Sequence, residues 1–328
     1  MRESVFIKQN AARWETLEAQ IKSDNSISPD ELSDLYIGLT DDLSYSRTFY
    51  PNSNTTKYLN ELAAHAHRSI YKNKKEQSNR IINFWKYEVP EAIAQSHKQL
   101  LYAFLFFAVA VTIGAVSSAN DENFVRLILG DTYVNMTENN IEKGDPMAVY
   151  KSMHNTDMFF AISTNNIYVS FVTWLMGIFF SVGTVYFLFS NGIMLGSFQY
   201  FFYQKGLLWA SVSAIFLHGA LEISALVIAG GAGLVLGNSI LFPGTYTRLF
   251  SVTQAANRSL KIIMGLVPVF IVAAVIESFV TRYYNKMPPA INATIIVVSF
   301  IFVLWYFIVY PIKLKNKTNG KHNLHQTS

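Results

Sequence analysis

His218 and Glu222 stand four positions apart in the stretch FLHGALEISALVIAGGAG. On a helix that spacing puts both side chains on one face, where an imidazole and a carboxylate can hydrogen-bond or jointly meet a third group. Glu277, in VAAVIESFVTRYY, is the natural third member from another span. Glu222 and Glu277 are the only acids between residues 158 and 328, and each lies inside an apolar run. A carboxylate at bilayer depth costs on the order of 3 kcal/mol on insertion scales, so it faces a protein interior or a watery cavity. Three readings of the trio compete. It is an interhelical polar clamp satisfying a Gly-rich break, a protonatable or ligand site in a permease-like cavity, or a metal site. His at i and Glu at i+4 can ligate zinc, but the lone intramembrane His and the missing His-Glu-x-x-His pattern argue against hydrolytic chemistry. The expectation is therefore no metal, no cofactor and no catalytic residue.

Other chemistries find no support. The chain has no cysteine, which removes disulfides, Cys-ligated metal sites and a thiol nucleophile. It has no G-x-x-x-x-G-K-[ST] loop for phosphate. Gly230, Gly231 and Gly233 follow a helical pattern rather than a strand, so they read as helix packing or a helix break, not as a dinucleotide fingerprint. His65 and His67 sit on a polar helical stretch, and His322 and His325 in a polar tail.

The elements that must position the trio follow from how charge is distributed. Of the 328 residues, 51% are hydrophobic and only 15% charged. Residues 1–98 hold 13 Lys/Arg and 13 Asp/Glu, residues 99–157 hold 3 and 7, and residues 158–328 hold 10 and 2. The first block can fold in water; the last cannot build a solvated surface and reads as membrane-embedded. Within 1–97, Trp14, Leu17 and Ile21, then Leu32, Leu35, Tyr36, Leu39 and Leu43, then Tyr58, Leu59, Leu62, Ala66, Ile70 and Tyr71 form helical stripes of a small bundle. Ser28, Pro29 and Glu31 make the start signal of the second helix. Residues 78–98, with Trp85, Tyr87, Arg80 and Lys86, read either as an interfacial helix or as the last bundle helix.

Residues 99–118 carry no charge and form the first span. A net-acidic stretch, 119–166, follows as an external loop. Residues 167–190 form the second span, with Gly177 and Gly183 permitting close helix approach. Asn191-Gly192 and the Gly230–Gly233 region predict broken or re-entrant helices, with a short apolar piece at 193–203 between them. Residues 262–281 and 290–312 are the last clear spans. The basic residues at 243–261 and in the tail predict cytoplasmic placement of both termini and an even number of crossings, so six fit better than five. Arg282 and Lys286 at an external turn fit that topology least well. The basic excess is explained by topology, so no nucleic-acid partner is expected. The fold class is all-α: a polytopic membrane domain over 98–313, a cytoplasmic helical bundle over 1–97 and a disordered basic tail over 314–328.

The ordered segments FIKQNAARWETLE, SPDELSDLYIGLTDDLSYSRTFYP, YLNELAAHAHRSIY, TNNIYVSFVTWLMGIFFSVGTVYFLFSNGIMLG and HGALEISALVIAGGAGLVLG are followed by Pro243 and by G-x-x-P-x-F-x-x-A-A-x-I-E-x-F from Gly265 to Phe279. In order and spacing this chain resembles the stage II sporulation protein M family of bacterial integral membrane proteins. The resemblance places Asn165, Asn166, Asn191, Gly192, His218, Gly219, Glu222, Gly230, Gly233, Pro243 and Glu277 at the family's recurring positions. It implies a non-enzymatic, multi-pass protein of the bacterial cytoplasmic membrane in contact with membrane lipids, a scaffold or component of a cell-envelope assembly. The implied partners are a second copy of the chain, envelope or cell-wall-remodelling proteins, and a MoxR-type AAA ATPase system. A transporter or lipid-handling permease using the His/Glu cluster is the alternative.

Overall fold

The computed structural model describes residues 1–22, 29–72, 80–121, 123–151 and 153–316, without the side chains at 20–22, 29–33 and 68–72. The start signal at Ser28 and Glu31, the stripe members Ile21, Leu32, Ile70 and Tyr71, and the tail residues Lys317, Lys321, His322 and His325 lie outside the described groups. The described residues are helical, with no strand among them. The chain divides into two compact units, Met1–Ile81 and Ile82–Ser328.

The first unit contains α1 (Glu3–Lys22), α2 (Pro29–Phe49) and α3 (Asn54–Lys72). Their apolar stripes meet in a core of Phe6, Trp14, Leu17, Leu39, Leu43, Leu59, Leu62 and Ala66. Asp42 is buried within reach of this core, and its carboxylate is matched: the Trp14 indole donates to it at 2.8 Å and the Arg13 guanidinium pairs with it. A buried charge without such donors would cost several kcal/mol, on the order of 3 or more.

The boundary between the units falls within α4 (Arg80–Asn83), and the second unit continues through a π-turn at Phe84–Glu88 and α5 (Val89–Ala94). Sequence left this segment open between an interfacial helix and the last bundle helix; it packs with the second unit. Val89 and Ile93 are fully buried among Ile262, Ile263 and Leu266. Tyr306 and Tyr310 donate to the carbonyls of Trp85 and Lys86 at 2.7 and 2.8 Å, and Lys261 pairs with Glu88 at 2.8 Å.

Beyond it run α6 (His97–Asn120), α7 (Phe124–Leu129), α8 (Asp131–Glu142), α9 (Asn155–Leu175), α10 (Val182–Gln204), α11 (Leu208–Leu241), α12 (Arg248–Val275) and α13 (Pro289–Leu304). Among the described residues, four helices are long and apolar enough to cross a membrane: His97–Asn120, Leu208–Leu241, Arg248–Tyr283 and Pro289–Asn316. The last of these carries helix through Leu314–Asn316, where a tail was expected to have begun.

Three expectations about breaks are corrected. The span expected at 167–190 is a hairpin. It turns at Met176–Ser181, where Phe180 and Ser181 adopt left-handed backbone (φ 53° and 68°), and the Thr184 hydroxyl donates across it to the Thr173 carbonyl at 2.7 Å. Its residues are apolar throughout, so periodicity could not reveal the reversal. Conversely, α10 runs unbroken through Asn191-Gly192, because the Asn191 amide donates to the Phe187 carbonyl of its own helix at 2.8 Å. The glycines of α11 do not break that helix either. They form a smooth groove for the hairpin tip: a Cβ on Gly233 would lie 2.3 Å from Thr184 Oγ1, and one on Gly237 2.1 Å from Ser181 Oγ. The polar stretch expected as a loop over 119–166 is also shorter, because α9 already begins at Asn155, and it folds into α7, α8 and a 3-10 turn at Ala148–Lys151. Val125, Val134 and Met147 of this cap bury against Phe201, Phe202 and Ala214.

Candidate functional site

The trio converges. His218 and Glu222 lie one turn apart on α11, and Glu277 sits in a π-turn, Ile276–Val280, that continues α12. One ligand atom from each residue can be chosen so that all lie within 4.8 Å of one another. His218 Nε2 is 3.7 Å from Glu277 Oε1, with 7% and 13% of the two side chains exposed. A π-turn inserts one residue into the helical ladder and re-aims the side chains around it. Here it directs a carboxylate inward that has no Lys or Arg opposite it.

The surroundings supply few donors to these carboxylates. Glu222 Oε2 is buried with no hydrogen-bond partner among the described residues, and so is Asn166 Nδ2 of α9. The Asn166 amide is the donor nearest to the Glu222 carboxylate, placed beside it without meeting it in a hydrogen bond of ordinary geometry. His218 Nδ1 is 3.2 Å from Thr281 Oγ1, and the Thr281 hydroxyl lies 3.3 Å from the Ile276 carbonyl. The Tyr150 ring meets the imidazole edge-on at 5.7 Å.

Two cavities reach the trio. One of about 360 Å³ is lined by His218, Glu222, Gly219, Asn191, Tyr133 and Tyr150, among others. The other, about 240 Å³, is lined by Glu277 and Tyr150 with Met153, Met158, Ala161 and Ile162. Tyr150 therefore borders both, and the 3-10 turn that carries it is pinned from below. The Arg282 guanidinium donates to the carbonyls of Tyr150 and Met153 at 3.3 and 3.0 Å. This gives the basic residue that fitted the topology least well a definite structural task.

The other residues singled out in the sequence fall elsewhere. Gly219 lies on the cavity wall, where a Cβ would meet only Ile215 and Ile223 of its own helix. Asn165 is exposed and donates to Asn166 at 3.3 Å. Gly192 lies in the seam between α6 and α10, 2.7 Å from Ala110 Cβ if given a Cβ of its own. Gly230 packs on Leu188, Gly233 on the hairpin, and Pro243 lies in the turn after α11. Thr281, Tyr150 and Arg282 were missed. Thr281 follows Glu277 at i+4 and was legible by the same spacing that paired His218 with Glu222; Tyr150 comes from the polar stretch and carries no such signal.

The cap over this end is held by charge. Glu138 accepts from Lys205 at 2.7 Å and from Arg126 at 3.0 Å, and these partners, Lys205 first, hold its carboxyl below the usual range despite some desolvation. A depressed pKa contributes stability that is present above the unfolded value and lost as pH falls through the folded one. Because a third of the side chain is exposed, the effect is at most about 1 kcal/mol. Acidification below the ordinary carboxylate pKa should therefore lower the amide protection factors in 123–151, with exchange referred to its intrinsic rate at each pH, and Glu138→Gln should remove that acid dependence. An acid response unchanged in the variant would refute the assignment.

An all-α second unit with membrane-length apolar helices and a buried His/Glu centre defines an integral membrane protein with a polar interior. A family model described as stage II sporulation protein M matches residues 103–282, more than half of the chain, so the chain belongs to that family. A second model, a domain of unknown function (DUF8413), matches residues 4–72. No curated protein and no solved structure matches the chain.

Proposed function

We propose that this is a multi-pass protein of the bacterial cytoplasmic membrane that admits a small polar solute or ion to the centre at His218, Glu222 and Glu277, a permease-like role without covalent catalysis. The observation that carries the reading is Glu222 Oε2, buried at the wall of a cavity with no hydrogen bond of ordinary geometry among the described residues. A clamp would satisfy its polar atoms, because an unmet buried acceptor costs about 1–3 kcal/mol. Here unpaired buried atoms recur instead: Ser163 Oγ, Asn166 Nδ2 and Ser170 Oγ follow one face of α9, and Ser278 Oγ adjoins Glu277. A line of unpaired polar groups suits a hydrated path better than a dry interface.

The same proposal takes six crossings, namely α6, α9, α10, α11, α12 and α13, with both termini cytoplasmic. At 21 and 23 residues, α9 and α10 are long enough to span about 30 Å. Lys261 and its partner Glu88 would mark the cytoplasmic end, and the acidic cap 121–154 the external one.

A second reading, a component of a cell-envelope assembly, is favoured by the first unit. It has its own core and its own family match, separate from the unit that holds the His/Glu centre. In that reading it docks an envelope or cell-wall-remodelling protein or a MoxR-type AAA ATPase, and the chain assembles as a homo-oligomer, with a dimer favoured.

The absence of native cysteine makes access measurable without background. In membrane vesicles, Asn191→Cys on the cavity wall should react with a charged methanethiosulfonate at least about tenfold faster than Val298→Cys, which is 58% exposed on α13 but faces lipid in this topology. Equal, slow labelling of both positions would remove the permease reading.

A further inference from the structure

One possible acceptor from each of His218, Glu222 and Glu277 lies within 4.8 Å of the other two, with the Asn166 amide beside Glu222. The tautomer of His218 is assigned as the one that lets the Thr281 hydroxyl keep its contact with the Ile276 carbonyl. The Thr281 hydroxyl donates to the Ile276 carbonyl, so its oxygen is free to accept, and His218 Nδ1–H is the donor that reaches it at 3.2 Å. Nε2 is then left with its lone pair facing Glu277 Oε1 at 3.7 Å, while Glu222 presents an unpaired oxygen nearby. An imidazole whose far N–H is held by a neighbour, with the near nitrogen turned toward carboxylates, is the arrangement of a metal-binding histidine and its orienting partner.

From this geometry we infer that His218, Glu222 and Glu277 bind a divalent first-row transition cation of the zinc class, with Thr281 orienting the imidazole. The inference rests on the reading of the centre as a ligand-accepting site and names what it accepts; it departs from the metal-free expectation drawn from sequence. One nitrogen and two carboxylates suit zinc and its neighbours. Calcium takes about six to eight oxygens, and the chain has no thiolate to favour a soft ion. Three protein ligands leave a fourth position open toward the larger cavity, for water or solute. Tetrahedral ligands at zinc stand roughly 3.3 Å apart. Ligation therefore requires the side chains to draw together from the observed spread of up to 4.8 Å.

The test uses full-length protein in lipid nanodiscs, stripped with EDTA and dialysed. Zinc is then counted by elemental analysis, and cobalt(II) is titrated by its visible absorption. The expected result is one ion per chain, a cobalt spectrum of tetrahedral intensity, and at least about tenfold weaker binding in Glu222→Gln and in Glu277→Gln. Thr281→Val should weaken binding about tenfold while keeping one ion per chain, because it removes only the orienting contact. Gel filtration reports whether each variant is folded, and the wild-type titration needs no variant at all. Absence of an ion in the wild type overturns the inference, as does binding that survives all three substitutions, which would place the ion elsewhere, for example at His322 and His325. A wild type that binds no metal but still shows fast labelling at Asn191→Cys leaves the permease reading standing; slow labelling with no metal removes both.

Discussion

Gly196→Ala should destabilise the membrane unit by more than about 3 kcal/mol, enough to leave little folded protein, although it adds a single methyl group. A Cβ at this position would lie 2.0 Å from the Val111 carbonyl oxygen and 2.9 Å from the Ala115 amide nitrogen. Both are backbone atoms of α6, so no side-chain rotation relieves the clash and the two helices must separate. Separation is costly along the whole seam. Gly114 approaches the Ile193 carbonyl, Gly192 approaches the Phe107 carbonyl, and the Ser197 hydroxyl reaches the Gly114 carbonyl at 3.4 Å. In lipid, where apolar surfaces gain little by leaving the solvent, such close packing is the main force holding helices together. Gly230→Ala provides the control. Its Cβ would meet side-chain carbons of the fully buried Leu188 at 2.6 Å, so one side chain rather than a helix must shift, and the cost should be smaller, about 1–3 kcal/mol. Denaturant titration of both variants in detergent micelles measures the difference. A Gly196→Ala protein with a wild-type midpoint would show that the seam tolerates separation.

That seam also shows what sequence reading can and cannot supply. Gly192 and Gly196 form a G-x-x-x-G pair, yet Asn191-Gly192 reads in sequence as an interruption of the apolar run, a broken or re-entrant helix. In an apolar helix the amide of Asn191 satisfies itself on its own backbone, and the glycine becomes a contact surface. Sequence leaves Gly230 and Gly233 open between helix packing and a helix break, and packing is what the structure shows. The hairpin at Met176–Ser181 was hidden for the opposite reason: its turn is built from Phe180 and Ser181, residues with no punctuation value in sequence. The soluble stripes through Leu17, Leu39 and Leu59 were legible because water enforces a strict apolar face. Convergence of His218, Glu222 and Glu277 was legible because hydrocarbon leaves isolated polar groups few places to go. The placement of Tyr150 and Arg282 around that centre was not, since it depends on how the cap folds back over residues more than 60 positions away.

In the presence of EDTA, Glu222→Gln should be more stable than the wild type by about 1–3 kcal/mol, an unusual sign for a buried substitution. The reason lies in the balance of donors and acceptors. Glu222 brings a further acceptor into a centre where His218 Nε2 and Glu277 already present acceptors, and one of its oxygens finds no donor. Glutamine keeps the volume and supplies an N–H pair that can donate to Glu277 or to the imidazole. With zinc at a hundredfold excess over its dissociation constant, the wild type gains about 2.7 kcal/mol by mass action, while the variant, having lost a ligand, gains little. The order of the two melting curves should therefore invert between EDTA and zinc. If Glu222→Gln is instead the less stable protein in EDTA, the carboxylate is meeting a structural need and the centre is a clamp. If the variant is stabilised in EDTA but zinc moves neither curve, the centre holds an unpaired carboxylate for some purpose other than a metal. The inversion itself is expected only of a site that is kept under tension in the empty protein and relieved by its ion, which is the trade between stability and function that an unmatched acid in a membrane interior implies.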